Sequence, residues 1–111
     1  MSIDLIEELH AEHREQKELI NQQRIDGQRK AEAEAAYYTA KYVTALNLHA
    51  DGMAVTLVNT IIKGHPDVAT KLQRFRAAET VYEADKSAQI ACQNRIRLIE
   101  NQLRTEYWSK S

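Results

Sequence analysis

Along residues 3–50, one helical face carries Leu9, His13, Gln16, Ile20, Gln23, Gly27, Ala31, Ala35, Tyr38, Tyr42, Ala45 and His49. The steps alternate between three and four, with one four-residue insertion near Gly27. This spacing predicts a long helix with a heptad-like seam and a stutter that locally unwinds any supercoil. Glu, Gln, Arg, Lys, Ala and Leu dominate the segment and favour helix. Ser2 or Asp4 can cap its start. Gly27 is the one breaker and the place for a kink. The seam is polar between His10 and Arg24, then rich in alanine, tyrosine and leucine from Ala31 to Leu48. The inner half is therefore expected to pack better, with tyrosine rings inside and hydroxyls at the edge.

A second long helix is predicted over residues 67–108. Val68, Leu72, Phe75, Ala78, Tyr82, Asp85, Ala88, Cys92, Ile96, Ile99, Leu103 and Tyr107 form its continuous face. Between the two lies "DGMAVTLVNTIIKGHPD", residues 51–67, which gathers two of the three glycines and the only proline. Asp51-Gly52 stops the first helix, with Gly52 able to adopt a left-handed conformation. Residues 53–63 form a short helix ended by Gly64, and His65-Pro66-Asp67 starts the last helix. Val55, Leu57, Val58, Ile61 and Ile62 are expected to cap the open end of a hairpin. A strand over 53–62 is the alternative, because Val, Ile and Thr favour strands, but a lone strand would lack a partner.

The expectation is an all-α fold, a single helical domain spanning 1–111. It is an antiparallel hairpin of two long helices joined by a short helical elbow, assembling into a helical bundle. Matching the helix lengths sets Tyr42 opposite Phe75, Tyr38 opposite Glu79 and Leu9 opposite Trp108. Two helices bury little core alone, so self-association into a homodimer or higher oligomer is the natural remedy.

Charge adds little to this picture. The 15 basic and 16 acidic side chains give a net charge of −1, which argues against gripping a phosphate backbone by charge alone. Residues 1–30 carry −2 and residues 67–111 carry +2, an asymmetry that suits antiparallel pairing and equally suits two solvated faces. A lone cysteine, Cys92, forms no intramolecular disulfide and fits a reducing compartment. No basic n-region with an apolar core opens the chain, and no apolar run approaches the roughly 20 residues of a membrane span. The expected location is the cytoplasm, with no membrane partner.

Candidate chemistry is sparse. Glu7, His10 and His13 supply one Glu-x-x-His pair, but a di-iron site needs a second pair, and the chain has none. Cys92 sits on an apolar face, as structural cysteines do. No nucleophile has a strand-turn-helix context, and no glycine-rich phosphate loop exists. No enzyme, cofactor or metal is expected. Lys63 and His65 precede a helix N-terminus, which attracts anions, although Asp67 competes for the same donors. Arg97 and Arg104 belong to a last helix whose arginines interleave with acids, the pattern of a solvated face. Tyr37, Tyr38 and Tyr42, with Trp108, read either as core or as exposed anchors for a partner. The candidate partner- or anion-binding residues are thus Lys63, His65, Tyr37, Arg97, Arg104 and Trp108.

Over residues 30–108 the chain resembles small all-helical proteins from the early, recombination and replication region of tailed phages and prophages of Gram-positive bacteria. The resemblance rests on Tyr-x-x-Ala-Lys at 38–41 read with its flanks, Asp-Gly at 51–52 and Ile-Lys-Gly at 62–64. It also rests on Ala-Glu-x-x-Tyr at 78–82 and Glu-Tyr-Trp at 106–108. It implies a bacterial host cytoplasm and no catalytic residue. The expected function is a non-enzymatic phage early protein acting by protein-protein interaction as a helical oligomer. Its partner would be a phage or host protein, in recombination or replication or in inhibition of a host defence system. The alternative is a nucleotide or nucleic-acid binder, such as a sponge for an immune signalling nucleotide.

Overall fold

The structure is a computed structural model that describes residues 2–110, with side chains described for residues 3–108. The cap expected from Ser2 falls on a side chain outside that range. Helix α1 spans Ser2–Ala50, α2 spans Val55–Ile61, a 3₁₀ turn covers Ile62–Gly64, and α3 spans Pro66–Lys110. The fold is all-α, with the two long helices packing together.

The strand alternative over 53–62 gives way to helix because the backbone finds its partners locally, Val58 N–H donating to the Ala54 carbonyl at 3.0 Å and Ile62 N–H to the Val58 carbonyl, with no partner strand needed. Residues four apart share a helix face, and Val58 and Ile62 are both buried at 3% exposure. Val55, Leu57 and Ile61 are expected to share in closing the elbow. Instead those three stay exposed, so only part of the expected apolar cap closes the elbow.

The breakers act at defined points. Met53 N–H donates to the Leu48 carbonyl at 3.1 Å and Gly52 N–H to the His49 carbonyl at 3.0 Å. This paired pattern is a Schellman stop, which needs a left-handed residue at its centre. Gly52 supplies it with φ 99°, while Met53 and Leu48 both pack on the core nearby. His65 is extended, with ψ 130°, as a residue before proline must be. Pro66 then opens α3, and Ala69 N–H bonds the His65 carbonyl at 2.8 Å.

Gly27 does not break α1, which is continuous through it. A Cβ there would lie 3.0 Å from Tyr82 Cε1, so glycine admits the tyrosine ring rather than a kink.

The chain divides into two compact units, a terminal unit of Met1–Ile25 with Glu83–Ser111 and an elbow unit of Asp26–Tyr82. In the elbow unit, Tyr37, Val58, Ile62 and Val68 form a buried cluster, with Ala45, Leu48, Met53, Leu72 and Phe75 against it. Val68 has 0% exposure, and burying such a side chain contributes about 1.5–3 kcal/mol. In the terminal unit, Cys92, Ile96 and Ile99 are buried, while Leu5, Leu9, Leu19 and Leu103 are half-buried.

The two seams met different fates. On α3 the expected face is correct from Val68 to Leu103, then ends on half-buried Glu106 rather than exposed Tyr107. On α1 the inward residues are Leu5, Leu9, Glu12, Gln16, Leu19, Gln23, Asp26, Lys30, Ala33 and Tyr37. The expected face shares Leu9, Gln16, Gln23, Gly27 and Ala45 with the inward side but elsewhere lies about one residue too far along. There is no stutter, because Asp26 and Lys30 turn inward despite their charge. Asp26 is 4% exposed and 3.5 Å from Arg29 Nη1. Lys30 lays its ammonium 4.9 Å from the centre of the Tyr82 ring.

Register also differs. Phe75 stacks on Tyr37, with ring centres 6.1 Å apart, and not on Tyr42, which is 67% exposed. Five residues along a helix turn the side chain through about 140°, so both tyrosines cannot face the same partner.

Candidate interaction surface

The outward side of the elbow unit carries an apolar stripe. Tyr37 points inward, so Tyr38, one position on, points out at 54% exposure. Tyr42 and Leu46 follow at four-residue steps and are 67% and 51% exposed. Lys41 does not shield them, because its ammonium turns to the Tyr37 ring, 5.9 Å from its centre. Half-buried Ala45 forms a low floor between the larger side chains. On α2, Val58 holds the core and thereby presents Val55 and Asn59 beside the stripe. His49 Nδ1 lies 3.0 Å from the Met53 carbonyl oxygen, in hydrogen-bond contact that ties the turn at the end of the stripe.

Two depressions meet along this face. One is lined by Tyr38, Lys41, Tyr42 and Ala45. The other, of about 180 Å³, is lined by Tyr42, Ala45, Leu46, His49, Val55, Val58 and Asn59. They share Tyr42 and Ala45. Between Lys41 and Lys63 the sequence has one fully charged side chain, Asp51, so the stripe is nearly free of charge.

The terminal unit holds the main polar cluster. Arg95 Nε donates to Glu12 Oε2 at 2.8 Å, and its Nη2 donates to Glu15 Oε2 at 3.3 Å. The Cys92 thiol, with 0% exposure, lies 3.4 Å from the Glu12 carbonyl and 3.5 Å from its carboxylate. Burial pushes the Cys92 thiol up, and the hydrogen bond to Glu12 adds to the effect. The Glu12 bond likewise holds the Arg95 guanidinium above its ordinary value. Ligand-type atoms of Glu12, Glu15 and Cys92 lie within 4.8 Å of one another. Arg95 already engages both carboxylates, and a raised thiol is a poor nucleophile and a poor metal ligand. The cluster thus reads as a partly exposed polar tie between helices. Glu7, His10 and His13 are all exposed on α1.

The residues singled out from the sequence do not form one site. Tyr37 is core at 5% exposure, not a surface anchor. Lys63 is exposed on the 3₁₀ turn, and half-buried His65 is the residue at the N-cap of α3. His65 Nδ1 is buried without a hydrogen-bond partner among the described residues. Arg97 and Arg104 are exposed on the terminal-unit part of α3. Trp108, 68% exposed, meets Tyr107 edge-on at 5.6 Å. Tyr37, Lys63 and His65 thus belong to the elbow unit, and the other three to the terminal unit. Leu46 and Val55 were not singled out. The signal that marks them is the charge-free stretch after Lys41.

The architecture defines an all-α protein built on a pair of long helices, and no described helix is long and apolar enough to cross a membrane. Comparison with family models, curated proteins and solved structures finds no match.

Proposed function

We propose that this chain is a non-enzymatic binding protein that works through protein-protein contact as a helical oligomer. The proposed setting is phage recombination or replication, or inhibition of a host defence system. One observation carries the binding reading. Among the described residues, fifteen large apolar side chains are exposed, Tyr38, Tyr42, Leu46 and Val55 among them. Scattered exposed apolar residues are ordinary, but contiguous ones mark interaction sites. Here they run along the elbow stripe, and they recur in the terminal unit at Ile90, Leu98, Tyr107 and Trp108. The phage setting rests on the resemblance of residues 30–108. The test is affinity capture from host lysate with wild-type protein and with a Leu98→Glu, Trp108→Glu variant. The expected result is a stoichiometric protein retained by the first and lost by the second. Capture of nothing by wild type overturns the reading.

A further inference from the structure

We infer that the Tyr38-Tyr42-Leu46 stripe, with Val55 beside it, is covered by the same stripe of a second copy of this chain. This rests on reading the chain as an oligomeric binding protein, and it names the face that makes the oligomer.

Area gives the first argument. The chain exposes 8062 Å². A folded monomer of its 12.7 kDa mass is expected to expose only ~6,200 Å². The surplus, about 1,800 Å², exceeds the roughly 800 Å² per partner that a standard stable interface removes. A second copy removes part of that surplus from both chains at once.

Charge gives the second. A stripe meeting its own copy repeats every charge against itself, and like charges across an interface are unfavourable. This stretch avoids that cost, because Asp51 is the one fully charged residue from Tyr42 to Ile62 and Lys41 is turned away onto Tyr37. The same absence of charge gives an acidic, basic or nucleic-acid partner nothing to recognise.

Shape gives the third. The depression lined by Tyr38, Lys41, Tyr42 and Ala45 measures about 410 Å³, and the one it meets, beside Tyr42 and Val58, about 180 Å³. The scale of the second suits a single side chain entering as a knob from a facing helix. In a twofold arrangement the same patch meets itself. Tyr42 of one copy then enters the depression beside Ala45 of the other, where the small alanine leaves room.

Light scattering on the purified protein tests this without any other partner. Wild type should run at twice 12.7 kDa, and a Tyr42→Glu, Leu46→Glu variant at the monomer mass with unchanged helicity. Both side chains are more than half exposed, so the fold itself should tolerate the change. An Ile90→Glu control in the terminal unit should remain dimeric. A Tyr42→Cys variant should form a covalent dimer on mild oxidation, while wild type, with Cys92 buried, should not. Two results overturn the inference in distinguishable ways. Wild type that is monomeric at about 100 μM overturns both the face and the oligomer, leaving the stripe to a helix of another protein. An oligomer that survives Tyr42→Glu, Leu46→Glu keeps the oligomer and overturns the face.

Discussion

Where α1 runs through the elbow unit, it turns Ala33, Tyr37, Ala40 and Leu48 inward. Where it runs through the terminal unit, the inward residues are Leu5, Leu9, Glu12, Gln16, Leu19 and Gln23. One helix thus contributes to one unit a seam that is apolar beyond the inward Asp26 and Lys30, and to the other a seam of leucines interspersed with Glu12, Gln16 and Gln23. The first gains its stability from area and close packing around Val58, Ile62 and Val68. The second gains definition from groups that must find particular mates. Gln89 bonds the Gln23 side chain and reaches the Leu19 carbonyl, and Arg95 ties Glu12 to Glu15. Apolar side chains slide past one another at little cost, whereas a half-buried amide or carboxylate is penalised when its partner moves away. Buried polar positions of this kind fix register at some cost in stability.

The largest effect should come from breaking the elbow core. Tyr37→Ala removes a buried ring stacked on Phe75 and should cost about 3–5 kcal/mol by urea denaturation. This is a large share of the ~5–15 kcal/mol total of an ordinary domain. A cost under about 1 kcal/mol would show that the cluster contributes little.

The terminal unit should answer in the opposite sense. Replacing both amides, Gln23→Leu with Gln89→Leu, should leave stability unchanged or raise it by about 1 kcal/mol, because removing both partners leaves no orphan. The same variant should weaken the choice of register, read as broader amide resonances in the first half of α1. A sharp spectrum together with a large loss of stability would refute the division of roles.

Gly27 and Tyr82 offer a finer probe. Gly27→Ala gains up to about 1 kcal/mol of helix propensity but crowds Tyr82 at 3.0 Å, so its net effect should lie near zero. In a Tyr82→Ala background the same change should stabilise outright, giving a coupling of about 0.5–1 kcal/mol in a double-mutant cycle. Equal effects in both backgrounds would mean the ring moves aside freely.

Smaller still, Arg95→Met should lower the thermal midpoint modestly, and the difference should shrink as salt is added, since Arg95 is substantially exposed. The smallest effect concerns pH. The folded Cys92 thiol keeps its proton above its ordinary value of 9.0. Its contribution is therefore complete below about that pH and falls as pH rises toward the folded value. The stability difference between wild type and Cys92→Ala should narrow with alkali. A difference constant with pH would contradict the burial of the thiol.

Much of the fold was legible from local chemistry. Gly52 and Pro66 placed the two helix boundaries because left-handed φ and a missing N–H are properties of single residues. The α3 face was readable because Phe75, Tyr82, Cys92, Ile96 and Ile99 are large and apolar at helical spacing. The α1 face was not, because its seam includes Glu12, Asp26 and Lys30, whose inward positions depend on Arg95, Arg29 and Tyr82. The candidate surface was half legible. Tyr38 and Tyr42 stood out as aromatic, but their outward direction follows only once Tyr37 takes the inward place.

By itself the sequence determined that this chain is helical, where its helices stop, and which face of α3 is apolar. Those follow from backbone sterics and from the 3.6-residue period, which act within a few neighbouring residues. Tertiary structure alone decided the phase of α1, the pairing of Tyr37 with Phe75, and the exposure of the stripe from Tyr38 to Val55. Periodicity allows several rotations and slides of one long helix against another. Tertiary contacts select among them, the packing around Val58, Ile62 and Val68 in the elbow unit and the Gln23–Gln89 and Glu12–Arg95 contacts in the terminal unit.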